Sequence, residues 1–205
     1  MIIPAILTSD KTDLLNQLST LDNRELVNWV HIDIMDNKFI PYQSIRVDEL
    51  LDIKTNLSLE AHLMVLNPET YCEPLKKSGF KRMIFHAEST TNHKAVIDKA
   101  RECGLEIGVA LNPETNFNTI EHIINLVDFV LFLSVRPGKQ GQTFIDSVLE
   151  KIKAARLKYP KLVISIDGGV NKTNIDKILK EGVNNIVVGS GICKNHQSSD
   201  TCLVL

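Results

Sequence analysis

Eight short runs rich in Val, Ile and Leu recur along this chain, starting roughly every 22 to 34 residues, about the length of one strand–helix unit. They are Ile2–Leu7, Val27–Met35, Leu57–Val65, Arg82–His86, Glu106–Leu111, Phe129–Val135, Leu162–Asp167 and Asn185–Gly189. The segments between them carry helix signals. Pro68, after Asn67, suits a first helical turn. "NHKAVIDKARECG" is amphipathic and stops at Gly104, and "TFIDSVLEKIKAARLKYP" has apolar residues at helical spacing and ends before Pro160. "NKTNIDKILKEG" opens on an Asn cap and ends in Gly182. Eight strands alternating with helices, with no linker among them, predict a closed parallel (β/α)8 TIM barrel, a single domain over residues 1–205. An open doubly wound sheet is the rival, but no GxGxxG follows the first strand.

The 205 residues suffice for one domain with one core, and 43% hydrophobic with 23% charged content is that of a globular protein rather than a disordered one. A net charge of −2 without a basic run argues against nucleic acid or an anionic membrane as the partner. No apolar run approaches the roughly 20 residues of a membrane span. "MIIPAIL" is too short for a signal peptide and lacks a basic start, so the expected location is cytoplasmic. Cys72, Cys103, Cys193 and Cys202 form no CxxC pair and read as free thiols.

"VHIDIMD", Val30 to Asp36, poses a local problem. In a strand Ile32 and Ile34 face one way, and His31, Asp33 and Met35 the other. Barrel strands are covered on both faces, so the isoleucines pack outward under helices and the polar set points into the barrel. Burying His and Asp there is costly unless something compensates. Polar residues end other strands too: His62 and Met64 in "LEAHLMV", His86 and Glu88 in "IFHAE", Asp167 in "VISIDGG". His31, Asp33, His62 and Asp167 are of types that bind a divalent metal, and they come from three strands of one rim, where barrel chemistry sits. His86 and Glu88 read as supporting or rim groups; His93, His122 and His196 fall in helical or tail segments and read as solvated.

The last three loops, "SVRPGKQGQ", "DGGVN" and "GSG", are glycine-rich. Glycines let backbone N–H groups approach an anion, and barrels often bind phosphate on the loops after strands seven and eight. Gly168-Gly169 and Gly189-Ser190-Gly191 occupy those positions, and Lys139 adds charge beside them. A metal and a phosphate in one barrel mouth, with Asp33 and Asp167 on different strands, suit removing a proton from one face of a carbon and returning one to the other.

"PAIL", "HIDIMDNKFIP", "HLMVLNPETY", "HAE", "LNPET", "LSVRPGKQGQTF", "DGGVN" and "VGSGI" follow one another in an order and spacing that resemble ribulose-phosphate 3-epimerases nearly end to end. The resemblance implies a metal site of His31, Asp33, His62 and Asp167 holding zinc or ferrous iron, with manganese or cobalt as other candidates. It implies Asp33 and Asp167 as the acid/base pair at C3 of a ketose phosphate. It also implies phosphate and substrate contacts by His62, Gly138, Lys139, Gln140, Gly141, Gly168, Gly169, Gly189 and Ser190. Met35 and Met64 would line the site, with Leu133 at a third methionine position, and a small-molecule ketose phosphate and a homo-oligomer are the expected partners.

The chain departs from that pattern in places. Ala5 replaces a substrate-contacting Ser, Asn37 replaces Gly in "MDG", and Ile40-Pro41-Tyr42 stands for "VPN". Pro137-Gly138-Lys139-Gln140-Gly141-Gln142 stands for "PGFGGQ", losing a Gly and an aromatic lid residue. Fourteen residues follow Gly191, so a short C-terminal end is expected to form a weak final helix. Three alternatives remain: a 3-epimerase of another ketose phosphate such as allulose 6-phosphate, a non-catalytic sugar-phosphate-binding barrel, and a lyase with a D-x-K-x-x-D array. For the last, "DIKTNL" from Asp52 lacks the second Asp and lies away from a strand end.

Overall fold

A computed structural model describes residues 1–189. Eight parallel strands close into a barrel in chain order. They are β1 (Ile2–Ile6), β2 (Trp29–Met35), β3 (Ser58–Met64), β4 (Arg82–His86), β5 (Glu106–Leu111), β6 (Phe129–Leu133), β7 (Val163–Asp167) and β8 (Asn185–Val188). Every expected strand is present, shortened by up to two residues at an end. β1 pairs with β8 through Ile2–Ile186 and Ile3–Val187, which makes the chain a TIM barrel rather than an open sheet.

The alternation read from "VHIDIMD" is realised. Ile32 and Ile34 join the outer core between barrel and helices, with Ala61, Leu63 and Val109. A separate inner cluster of Ile3, Ala5, Ile84, Ala110, Leu131, Leu133 and Val187 fills the barrel axis. These two layers bury both faces of each strand, which is why the strands read as near-continuous apolar runs.

The outer layer is less regular than predicted. Five α-helices occur among the described residues: α1 (Lys11–Asp22), α2 (Cys72–Lys77), α3 (His93–Glu102), α4 (Ser147–Lys158) and α5 (Ile175–Lys180). In the first, Asp10 caps the start by accepting the Asp13 N–H at 2.8 Å, and Leu14, Leu18 and Leu21 form the buried stripe. Pro68 opens a 3₁₀ turn, Pro68–Tyr71, ahead of α2. In the third, Asn92 caps the start and Gly104, at φ 66°, follows the end, as read. Two connections carry only 3₁₀ turns: Val47–Leu50 before β3, and Phe117–Ile123 before β6. The second buries Phe117, Ile120 and Ile123, which recur every three residues, the period of a 3₁₀ helix rather than an α-helix. The expected final helix lies outside the described residues, and no described helix is long and apolar enough to cross a membrane.

Candidate active site

β2 carries His31 and Asp33 inward, β3 carries Glu60, His62 and Met64, and β7 ends on Asp167. The parallel register sets Asp33 beside His62 and Met35 beside Met64. One ligand atom from each of His31, Asp33, His62 and Asp167 falls within 4.8 Å of all the others, so the four residues taken as a set from the sequence do converge. Asp33 Oδ1 lies 3.3 Å from His31 Nε2 and 2.8 Å from His62 Nδ1, while Asp167 Oδ2 is 3.9 Å from that same Nδ1. His31 is fully buried, and its Nε2 has no hydrogen-bond partner although it faces two carboxylates. A bare, buried imidazole nitrogen amid carboxylate oxygens is the donor set that suits a divalent cation.

The surroundings push these groups apart electrostatically. Burial raises the Asp167 pKa to about 6, with the negative charges of Asp33 and Glu60 adding to it against the opposing pull of His31 and His62. Burial works the same way on Asp33, but His31 and His62 outweigh it and hold that carboxyl well below the usual carboxylate range. For His31, burial lowers the pKa, and the neighbouring Asp33 and Glu60 carboxylates more than reverse this and raise it. Two nearby carboxyls are thus shifted in opposite directions, Asp33 toward the ionised form and Asp167 toward the protonated one.

A cavity of about 320 Å3 opens above these groups. Asp33, His62 and Asp167 form part of its floor, with Ala5, Met64 and Leu133 on its wall. Gly138, Lys139, Gln140, Gly141, Gly168, Gly169 and Gly189 line its other side, and Ser190 lies outside the described residues. The loops here are tightly interlocked. A Cβ on Gly168 would stand 2.4 Å from Val135 Cγ2, and one on Gly169 2.7 Å from the Phe144 backbone nitrogen. Ser134 Oγ donates to the Gly168 carbonyl at 2.6 Å. Lys139 Nζ sits 5.1 Å from the centre of the Tyr42 ring, which also packs on Gly138, so the loops after β2 and β6 meet over the mouth. Asn37 has φ 56°, a left-handed conformation that Asn tolerates in place of Gly.

Some sequence readings need adjusting. Met35 is buried and is not among the residues that line this cavity; it borders a separate depression beside Asp36 and Tyr71. His93 is half-buried rather than solvated, lying 2.9 Å from the Ala87 carbonyl and 3.3 Å from the exposed His122; His196 is outside the described residues. Asp52 is exposed in a turn away from the cavity, so no lyase-type acidic array forms there. His86, by contrast, stands where a supporting group would, its Nε2 2.9 Å from His62 Nε2. Glu60 was missed by the sequence reading, although its position two residues before His62 places it on the same inward face.

The sequence matches the Ribulose-phosphate 3 epimerase family over residues 1–193. It is 37% identical to the rice ribulose-phosphate 3-epimerase, cytoplasmic isoform, over 93% of this chain and 86% of that one. It is 35% identical to ribulose-phosphate 3-epimerase of Bacillus subtilis, over 93% and 91% of the two chains. Among solved structures, a mutant tryptophan synthase α-subunit from Pyrococcus furiosus superposes with a TM-score of 0.68 over 93% of this chain and 87% of that one; at 21% identity it attests the barrel alone. With this agreement along nearly its whole length, the chain belongs to the ribulose-phosphate 3-epimerase family and is an isomerase of the carbohydrate-epimerase class.

Proposed function

We propose that the protein interconverts D-ribulose 5-phosphate and D-xylulose 5-phosphate, with Asp33 and Asp167 as the acid/base pair acting from opposite faces of C3. The observation that carries this reading is the meeting of those two carboxyls, with pKa values shifted in opposite directions, on the floor of one cavity. The ionised Asp33 removes the C3 proton, leaving an enediolate, and the protonated Asp167 delivers a proton to the other face; in the reverse direction the roles exchange. His31, Asp33, His62 and Asp167 would hold a divalent cation, zinc or ferrous iron first among the candidates. That ion supplies positive charge to offset the negative charge developing on the substrate oxygens. Backbone N–H groups of the loops at Gly138–Gly141, Gly168-Gly169 and Gly189-Ser190 would receive the phosphate, with Lys139 adding charge. A cytoplasmic location is part of this reading, in keeping with the rice relative, a cytoplasmic isoform. A homo-oligomer is also part of this reading.

A second reading, 3-epimerisation of a related ketose phosphate such as allulose 6-phosphate, is favoured by Ala5, Tyr42 and Lys139, which place an apolar wall and a cation–ring pair at the cavity. Solvent deuterium incorporation at C3 across a panel of ketose phosphates, with metal analysis of the same sample, separates the two. Ribulose 5-phosphate is expected to exchange fastest. Asp33→Asn and Asp167→Asn are each expected to lower turnover by at least about 100-fold. Normal turnover in either variant overturns the assigned roles.

A further inference from the structure

Glu60 and His86 touch the proposed metal ligands from behind, and neither lines the cavity. Glu60 Oε1 lies 2.7 Å from His31 Nδ1. Its other oxygen accepts from Arg82 at 3.2 Å. Arg82 is itself held: its guanidinium stacks 3.7 Å from the Trp29 ring centre and 5.0 Å from that of Phe129, and bonds Glu106 at 2.9 Å. On the opposite side His62 Nε2 meets His86 Nε2 at 2.9 Å, and the His86 Nδ1 meets Glu88 Oε2 at 3.3 Å. Glu88 Oε1 accepts from the Asn112 N–H at 2.8 Å and from the Thr115 hydroxyl.

With a cation held between Asp33 and the two histidines, each ligand imidazole is neutral, and the carboxylates behind them, which only accept hydrogen bonds, then fix its proton order. Glu60 requires the proton of His31 on Nδ1, which leaves Nε2 bare. Glu88 requires the proton of His86 on Nδ1; the bare Nε2 of His86 then requires the proton of His62 on Nε2, which leaves His62 Nδ1 bare. The two bare nitrogens are the ones that face the Asp33 carboxylate. In the absence of a cation a proton on the nitrogen satisfies such a contact; with a cation bound, both lone pairs are directed at it. We infer that Glu60, anchored by Arg82, and Glu88, acting through His86, are positioning residues that hold the two ligand histidines in opposite tautomers, His31 presenting Nε2 and His62 presenting Nδ1 to the cation. This rests on the metal site proposed above and adds the groups that orient it, in line with the role of carboxylates behind metal-bound imidazoles.

The test uses the full chain loaded with zinc and labelled with 15N-histidine. Ring-nitrogen chemical shifts identify which nitrogen of each imidazole is protonated, and competition with a chromophoric chelator gives the zinc affinity. The wild type is expected to show protonated Nδ1 on His31 and protonated Nε2 on His62. Glu60→Leu and His86→Phe are each expected to lose zinc affinity by about 10–100-fold. Glu60→Gln retains an acceptor for His31 Nδ1, so it is expected to keep the wild-type tautomer with a smaller loss; it also serves if Glu60→Leu does not fold. Zinc bound in the wild type with either tautomer reversed overturns the inference, as does undiminished affinity in Glu60→Leu for His31 or in His86→Phe for His62. A wild type that binds no zinc, ferrous, manganese or cobalt ion overturns the metal site itself and this inference with it.

Discussion

Asp33 lies between two imidazoles that hold it ionised, whereas at Asp167 burial outweighs the pull of His31 and His62. The same side chain is thus held ionised at one position and pulled toward the protonated form at the other. The second has a stability consequence. Its pKa is raised on folding from 3.8 to about 6, so the ionised form is disfavoured by the fold. That penalty is absent below the unfolded value, grows as pH rises toward 6, and is complete above it, where it amounts to about 3 kcal/mol. Asp167→Asn is therefore expected to stabilise the protein in chelator at pH 8 and to lose that advantage between pH 6 and 4. Urea melts at several pH values check this; a pH-independent difference refutes it. Ala5, on the cavity wall and paired with His31 in the barrel register, offers a contrasting case. Ala5→Ser restores a donor at small steric cost and is expected to raise kcat/KM for ribulose 5-phosphate. Unchanged kinetics would mean that the hydroxyl is not limiting.

At the scale of elements, strand ends deliver the chemistry and the loops after them shape the cavity. Gly168 shows how narrowly the loop after β7 is constrained. Its φ of 110° is a region that L side chains rarely adopt, and Val135 occupies the place of a Cβ. Gly168→Ala is expected to cost about 1–3 kcal/mol in backbone strain alone and to weaken ketose-phosphate binding, because Val135 and the β6 loop must shift. Equilibrium unfolding and KM measure the two effects; a variant that is wild-type in both would show that the loop adapts freely. The rim after β4 is tied differently. Glu88 bridges to the β5 loop through Asn112 and Thr115, and Lys151 on α4 donates to the Asn112, Pro113 and Thr115 carbonyls. Burial opposes ionisation of Glu88, but its bonds to His86, Thr115 and Asn112 prevail and hold its pKa at about 2.

At the scale of the whole molecule, barrel closure brings the four His and Asp side chains of β2, β3 and β7 together, so the cluster exists only in the folded state. A cation that binds there therefore stabilises the fold by mass action. Zinc at 100 times its dissociation constant contributes about 2.7 kcal/mol, roughly a 5–10 °C rise in melting temperature for a domain of this size. Calorimetry with zinc and with chelator checks this. A shift that survives Asp33→Asn combined with His31→Ala would locate the ion elsewhere.

How much of this was legible in the sequence follows from how far each feature reaches along the chain. Strand alternation is a two-residue rule, so "VHIDIMD" by itself assigned Ile32 and Ile34 outward and His31 and Asp33 inward, and repetition of strand–helix units specified the barrel. Residue types at strand ends likewise identified His62 and Asp167. Only the tertiary structure decided that these four groups lie within 4.8 Å, that Glu60 stands opposite His31, that Met35 borders a second depression, and that two connections are 3₁₀ turns. Those depend on interstrand register and on closure between β1 and β8. Such contacts join residues far apart in the chain, and no local pattern records the distance between them.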